Sequence, residues 1–261
     1  MGSIRAPAVA GSFYPADPRE LKGMLSEFLA AARGDDSVPK AIIAPHAGYI
    51  YSGAVAASAY ARLKPARGHI ARVVLLGPAH RVGFRGLAFS SADYFVTPLG
   101  SIAVDQEALK AIAALPQVQL LDAAHLREHS LEVHLPFLQE VLGVFKLVPL
   151  VVGEAEPREV GEVLEKLWGG PETLIVISSD LSHYHDYETA QRLDTATSHA
   201  IEALKPEAIS HDQACGRNPV NGLLYVARKK HLTAKTVDLR NSGDTAGPRD
   251  QVVGYGAYIF E

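Results

Sequence analysis

The stretch AIIAPHAGYI, residues 41–50, runs four apolar or small residues into a proline and then places His46 among small residues. A short apolar run bounded by such residues predicts a buried strand. Two later runs have the same arrangement: RVVLLGPAH (72–80) ends at His80, and TLIVISSD (173–180) ends at Asp180, with His183 just beyond it. The sequence therefore predicts three strands that each carry a polar side chain at the carboxyl end.

Helical patterns separate these strands. Asp17 is predicted to cap a first helix that Gly34 closes, because apolar residues recur between them at helical spacing. Further helices are predicted at 105–115, 130–142, 156–170 and 187–204, and further strands at 86–91, 145–153, 233–239 and 255–261. Pro149 lacks an amide hydrogen, so the strand at 145–153 is expected at a sheet edge or a bulge.

The alternation of strands and helices indicates an α/β fold with a largely parallel central sheet. No proline- or serine-rich linker divides the chain, so residues 1–261 are predicted to form one domain. A net charge of −4 without a Lys/Arg tract argues against nucleic-acid binding. No segment approaches the roughly 18 consecutive apolar residues of a membrane span. The single cysteine excludes an intramolecular disulfide, and together these features predict a cytoplasmic protein.

The polar strand ends predict a shared site. In open α/β sheets, ligands bind beyond the carboxyl ends of the strands, so His46, His80, Asp180 and His183 are expected to converge in one crevice. Each residue also has a structural alternative. A histidine after a strand is often a hydrogen-bonded loop residue, and Asp180 can equally serve in a turn or as a helix cap.

A cysteine precedes the last predicted helix. Cys215 lies in QACGRNPVNGLL, where Asn218 is predicted to cap a helix that begins at Pro219. The positive end of the helix dipole would favour a thiolate at this position. The alternative is that Cys215 is a small buried apolar residue.

The segment REHSLEVHLPF, residues 127–137, adds further candidates. Its histidines are five residues apart, which differs from the zinc motif HExxH. Ser130 is predicted to cap the following helix, which leaves His129 in the preceding loop and free to line the crevice, whereas His134 is expected in packing or at the surface. The remaining histidines are expected to be solvated: His69, His125, His185, His199, His211 and His231.

Seven blocks of the sequence, spread over nearly the whole chain, resemble the Memo family and, more distantly, the class III extradiol ring-cleaving dioxygenases. They are AGSFYPADP, APHAGYIYSG, LLGPAHR, EHSLEVHLPFLQ, SSDLSHY, CGRNPV and GDTAGPRDQVVGYGAY. The resemblance implies a doubly wound α/β fold of the dioxygenase type. It also implies that His46, His80 and Cys215 occupy metal-ligand positions and that Asp180 lines the same pocket. His183 matches the position of the acid–base histidine.

The implied third ligand differs from that of the ring-cleaving enzymes, which hold Fe(II) with two histidines and a carboxylate. A thiolate at Cys215 is soft and oxidisable. The expected cofactor is a divalent transition metal, iron first, with copper or zinc as alternatives.

Three functions are compatible with this site. The first is a metal-dependent oxidoreductase related to aromatic-diol dioxygenases, and the second is a non-catalytic protein that binds a metal, small molecule or peptide in a vestigial site. The third, zinc hydrolysis, has suitable ligands but no support from the family. The resemblance further implies a functional link to a radical SAM protein.

Overall fold

The computed structural model describes residues 2–33 and 37–261, so Gly34 lies outside the described residues. Asp17 caps the first helix as predicted, since its carboxylate accepts hydrogen bonds from the amides of Arg19 and Glu20. The helices are α1 (Pro18–Ala31), α2 (Tyr49–Tyr60), α3 (Gln106–Ile112), α4 (Asp122–Leu126), α5 (Leu135–Leu142), α6 (Pro157–Leu167), α7 (Tyr187–Glu202) and α8 (Arg217–Lys229).

The strands described in this part of the chain form a large sheet and a small one. They are β1 (Ile4–Arg5), β2 (Ala41–Ala44), β3 (Arg72–Pro78), β4 (Leu87–Phe89), β5 (Tyr94–Thr97), β6 (Gly100–Ala103), β7 (Val118–Leu120), β8 (Lys146–Val152), β9 (Thr173–Ser178), β10 (His183–His185), β11 (Ala234–Asn241) and β12 (Val252–Phe260). The small sheet, β1-β5-β6, was not predicted from the sequence.

The large sheet has the order β10-β12-β2-β9-β3-β8-β4-β7, with β11 paired to β12. Its four central strands, β2, β9, β3 and β8, are mutually parallel. They are buried nearly throughout, as expected for a sheet covered on both faces. The predicted α/β fold with a largely parallel core is therefore confirmed.

The chain order places a topological switch in the middle of this sheet. From β2 through α2 to β3 the chain moves in one direction, whereas from β8 through α6 to β9 it returns in the other. Because such crossovers are right-handed, the two connections lie on opposite faces of the sheet. The carboxyl ends of β2, β9 and β3 are thus neighbours at the edge where α/β proteins bind ligands.

The prediction that Pro149 marks an edge or a bulge is wrong, because β8 pairs with β3 on one side and β4 on the other. The backbone carbonyl of Leu147 accepts a hydrogen bond from Asp105, away from β3. Residues two apart in a strand point the same way, so the nitrogen of Pro149 also points away from β3. On that side β4 reaches only Val151 and Val152. Pro149 therefore removes no ladder hydrogen bond.

In the described residues, no helix is long and apolar enough to cross a membrane.

Candidate metal centre

Three ligand atoms meet at the carboxyl edge of the sheet. His46 follows β2, His80 follows β3 and Cys215 precedes α8. The ligating atoms of these side chains all lie within 4.8 Å of one another, and His46 Nε2 is 3.4 Å from Cys215 Sγ. Donor atoms around a tetrahedral metal are about 3.3–3.8 Å apart, given metal–ligand distances of roughly 2.0–2.3 Å. The three residues can therefore share one ion after small side-chain movements.

A serine sets the tautomer of His46. Ser178 Oγ donates to the carbonyl of Ser130 at 2.6 Å, so it must accept the 2.6 Å hydrogen bond that it shares with His46 Nδ1. The proton is therefore on Nδ1, and Nε2 carries the lone pair beside Cys215. Burial, followed by the neighbouring histidines, lowers the pKa of His46 well below its usual value. The ring is therefore neutral, and its Nε2 is available to a metal.

A buried carboxylate, Glu128, sets the tautomer of His80. Glu128 accepts from the His80 amide at 2.6 Å and contacts His80 Nδ1 at 2.9 Å, and it also accepts from the amides of His129 and Ser130. Burial acts to raise the pKa of Glu128, but the hydrogen bonds and charge of His80 outweigh it and lower the pKa to about 2. An ionised carboxylate only accepts, so His80 Nδ1 carries the proton and Nε2 is free to bind a metal.

Asp180 lies directly behind His46. Its Oδ1 accepts from the His46 amide at 2.8 Å, and its Oδ2 is 3.8 Å from His46 Nε2. Burial raises the pKa of Asp180, although His183 and the backbone hydrogen bonds oppose this shift. Asp180 therefore orients the strand end that carries His46 and places a carboxyl oxygen beside the three-ligand group.

Cys215 reaches the site through a close backbone approach. A Cβ atom at Gly216 would lie 2.4 Å from the Ser178 carbonyl oxygen and 2.6 Å from Ser179 Cβ, so any larger residue would push the Cys215 turn away from β9. The expectation that the helix dipole favours a thiolate is wrong for the metal-free protein. Burial, and then the charge of Asp180, raise the pKa of the Cys215 thiol. A bound cation would have to displace the thiol proton.

His183 lies at the mouth of the site. Together with His80 and Cys215 it lines an open cleft of about 650 Å³, which Tyr184, His185 and His211 also border. The Leu181 carbonyl oxygen lies 2.8 Å from His183 Nδ1 and can only accept, so this nitrogen carries the proton and Nε2 can accept one. Tyr184 has a φ of 61°, a backbone conformation that non-glycine residues rarely adopt.

His129 also faces this region. Its ring stacks on that of His80 with centroids 4.7 Å apart and lies 5.4 Å from the ring of His46. Burial and the charge of His80 lower the pKa of His129 to about 4. His80, Glu128 and His129 form a second group of close ligand atoms, although the carboxylate in that group is already surrounded by donors.

Several predictions for the neighbouring residues are wrong. Ser130 does not cap a helix, because its hydroxyl donates to the Pro78 carbonyl, and a short 3₁₀ turn over Glu132–His134 precedes α5. Asn218 lies inside α8 rather than at its cap, and its amide binds the Gly153 carbonyl. His125 is buried rather than solvated and hydrogen-bonds the Ala88 carbonyl through Nε2.

Sequence reasoning missed two residues that hydrogen-bond the candidate ligands, Glu128 and Ser178. Glu128 lies directly before His129 in REHS, and Ser178 lies two residues before Asp180 in TLIVISSD, so both are close to candidate residues. A local sequence pattern cannot show which side chain contacts a candidate ligand that comes from another part of the chain. Their roles depend on contacts between parts of the chain that are distant in sequence.

The fold and the site together define an α/β protein with a two-histidine, one-cysteine candidate metal centre at the switch point of its sheet. Residues 5–259 match the family described as Memo-like protein. The chain is 38% identical over 270 residues to a MEMO1 family protein of Aquifex aeolicus (strain VF5), with 98% of this chain and 99% of the relative covered. A MEMO1 family protein of Archaeoglobus fulgidus is 37% identical, with the same coverage. The chain belongs to the Memo family.

The fold is also similar to a solved structure, the crystal structure of uncharacterized protein JW3007 from Escherichia coli K12. The TM-score is 0.50 at 13% sequence identity, covering 85% of this chain and 100% of that one. At this identity the similarity concerns the fold alone.

Proposed function

We propose that His46, His80 and Cys215 bind one redox-active transition metal, iron first and copper as the alternative, and that the cleft above them is the active site of an oxidoreductase. The observation that carries the proposal is the pair of tautomers: Ser178 and Glu128 each occupy Nδ1 of a histidine, which leaves both Nε2 atoms for a metal. Histidines that bind metals typically donate the N–H of their second ring nitrogen to such a hydrogen-bond acceptor.

The arrangement of the residues supports an open site. Three protein ligands leave coordination positions for an exogenous molecule, and the cleft of about 650 Å³ gives access to them. When bound, the metal would supply electron transfer and polarise a substrate held beside it.

The chain's own residues provide the proton chemistry. His183 borders the cleft, and its Nε2 can accept a proton because Nδ1 carries the hydrogen bond to the Leu181 carbonyl. An aromatic diol, which loses protons when it is oxidised or cleaved, suits such a base. Asp180 holds the backbone of His46 and keeps a carboxyl group next to the ligands.

The first test is the metal content of protein purified without an affinity tag under anaerobic conditions. We expect about one equivalent of iron or copper in the wild type and a large loss in Cys215→Ser, because a weak neutral ligand replaces a thiolate. His211→Ala is the matched control, since His211 borders the same cleft outside the ligand group. Equal metal content in all three proteins would refute the proposed ligand set.

Cys215 is the single cysteine of the chain, so its alkylation gives an unambiguous second readout. Bound metal should protect the thiol, and removal of the metal should expose it. Oxygen consumption with catechols then tests turnover. His183→Ala should keep the metal and lose about 10²–10⁴-fold in rate. Bound metal without turnover of any diol would support the non-catalytic binding function instead.

A further inference from the structure

Tyr255, in the last strand, differs from the other buried tyrosines in its hydrogen bonding. Five tyrosines are buried in the part of the chain that the structure describes, and four of their hydroxyls are paired: those of Tyr14, Tyr49, Tyr60 and Tyr258. Tyr255 is only 2% exposed, yet its hydroxyl has no hydrogen-bond partner among the described residues. Buried tyrosine hydroxyls usually have a partner. The Tyr255 hydroxyl therefore remains available to a ligand, provided that a ligand can reach it.

The hydroxyl is not sealed inside the core. Some polar atoms of the described chain are both unpaired and cut off from solvent, but Tyr255 Oη is not among them, so it keeps accessible surface. Burial, and then the charge of Asp180, raise the pKa of Tyr255, and the hydroxyl keeps its proton. It can therefore donate a hydrogen bond to a bound molecule.

The pairing of β12 with β2 sets Tyr255 beside the metal centre. Tyr258 lies opposite Ile43 in this antiparallel pair, and three residues further in the same direction come Tyr255 and His46. The Tyr258 hydroxyl bonds Ser198 of α7. Side chains three apart in a strand point to opposite faces, so Tyr255 points away from α7. Tyr255 thus lies at the carboxyl end of β2, next to the segment that carries His46.

The pairing of β12 with β10 brings Tyr255 close to His183. Val253 lies opposite His183 in this pair. Residues two apart in a strand share a face, so His183 and Tyr255 are diagonal neighbours, about 7–8 Å apart and within reach of an aromatic side chain. Tyr184, which borders the cleft, is also among the groups that raise the pKa of Tyr255.

Asp180 locates the hydroxyl relative to the candidate ligands. Among the charged groups that raise the pKa of Tyr255, Asp180 has the largest effect, and such effects decrease with distance. Asp180 Oδ2 lies 3.8 Å from His46 Nε2. Neither Asp180 nor Tyr255 borders the outer cleft. The Tyr255 hydroxyl therefore lies on the inner side of the site, with Asp180 and His183 as its polar neighbours.

We propose that the Tyr255 hydroxyl binds the substrate of the metal centre by donating a hydrogen bond to an ionised diol oxygen. This inference rests on the proposed function. The O–H bond of the diol breaks, its proton passes to His183 Nε2, and its electron pair stays on the oxygen that accepts from Tyr255. Hydrogen bonds to charged groups are stronger than those between neutral groups, so Tyr255 favours the ionised diol.

The test uses 4-nitrocatechol, a coloured diol whose ionisation and binding change its absorbance. The full chain, freed of metal and then loaded with Fe(II) under anaerobic conditions, is titrated with this probe. Tyr255→Phe removes the hydroxyl and retains the ring. The variant should bind as much Fe(II) as the wild type, but its affinity for 4-nitrocatechol should be at least about tenfold lower, because a hydrogen bond to a charged oxygen is lost.

Tyr258→Phe is the matched control, since Tyr258 lies in the same strand, is equally buried and has a partner in Ser198. It should lower the thermal stability and leave the affinity for 4-nitrocatechol unchanged. Metal-free Tyr255→Phe should be at least as stable as the wild type, because its hydroxyl bonds none of the described residues.

Equal affinity of the loaded wild type and loaded Tyr255→Phe for 4-nitrocatechol would overturn the inference, as would no binding of the probe to the loaded wild type. Both results leave the proposed metal site intact. A wild type that does not take up Fe(II) would instead refute the proposed function, and this inference with it. Clear destabilisation of metal-free Tyr255→Phe would assign the hydroxyl a structural role.

Discussion

Two carboxylates in the same short segment, Glu128 and Glu132, have opposite roles. Both are buried, and both are surrounded by donors. Glu128 accepts from His80 and from the amides that follow it, and thereby orients a candidate metal ligand. Glu132 pairs with Arg5 and accepts from Tyr14 and from the amides of Ala8 and Val9, none of which faces the cleft. Burial and the number of hydrogen bonds therefore do not distinguish these two carboxylates. The identity of the groups that donate to each one does.

Glu132→Gln should have the largest effect on stability. It leaves the buried guanidinium of Arg5 without a counter-charge, a change worth about 3–5 kcal/mol in comparable buried pairs. Urea unfolding measures this loss. Glu107→Gln, whose partner Lys110 is exposed, should change the free energy of unfolding by no more than about 0.5 kcal/mol. If the two variants were equally stable, Glu132 would not hold the N-terminal segment.

Glu128→Gln should act mainly on the metal. A neutral amide holds the His80 Nδ1 proton less strongly, and loss of such an outer partner typically lowers metal affinity by about 10–100-fold. Chelator competition measures the affinity. Glu132→Gln, examined where it remains folded, should retain its metal affinity. The contrast between the two carboxylates is lost if both variants weaken metal binding equally.

The smallest effect concerns pH and His134, a third member of the segment. Burial, and then the charge of His129, lower the pKa of His134 to about 3. The unfolded chain, with a histidine pKa near 6.5, then binds a proton that the folded protein does not. The contribution of neutral, buried His134 to the free energy of unfolding is therefore fully present above pH 6.5. As the pH falls from 6.5 toward 3, that free energy decreases by up to about 1.4 kcal/mol per pH unit.

His134→Gln should remove that contribution while it retains a partner for the Tyr60 hydroxyl, which lies 2.7 Å from Nδ1. Urea unfolding of metal-free protein at pH 7.5, 6.5 and 5.5 gives the slope. The exposed His231, replaced by Gln, serves as the control. An unchanged slope in His134→Gln would mean that this ring binds a proton as readily in the folded protein as in the unfolded chain.

The sequence by itself determined the strands and the general position of the site. The apolar runs before His46, His80 and Asp180 predict buried strands, because a sheet covered on both faces requires continuous apolar side chains. Parallel strands then bring their carboxyl ends to one edge, so the convergence of His46 and His80 follows from local pattern and chain direction. The family resemblance added Cys215 to this group, and the structure places it there.

Only the tertiary structure decided which neighbours act on the candidate ligands. Glu128 reaches His80 from another part of the chain, and Ser178 reaches His46 across adjacent strands. For the metal-free protein, the prediction of a thiolate at Cys215 is wrong because the helix dipole is a local effect, whereas burial and the charge of Asp180, which raise the pKa of the thiol, arise from long-range packing. Pro149 was misplaced for a related reason: sequence shows that an amide hydrogen is missing, but only the pairing of β8 shows that this side of the strand has no partner there.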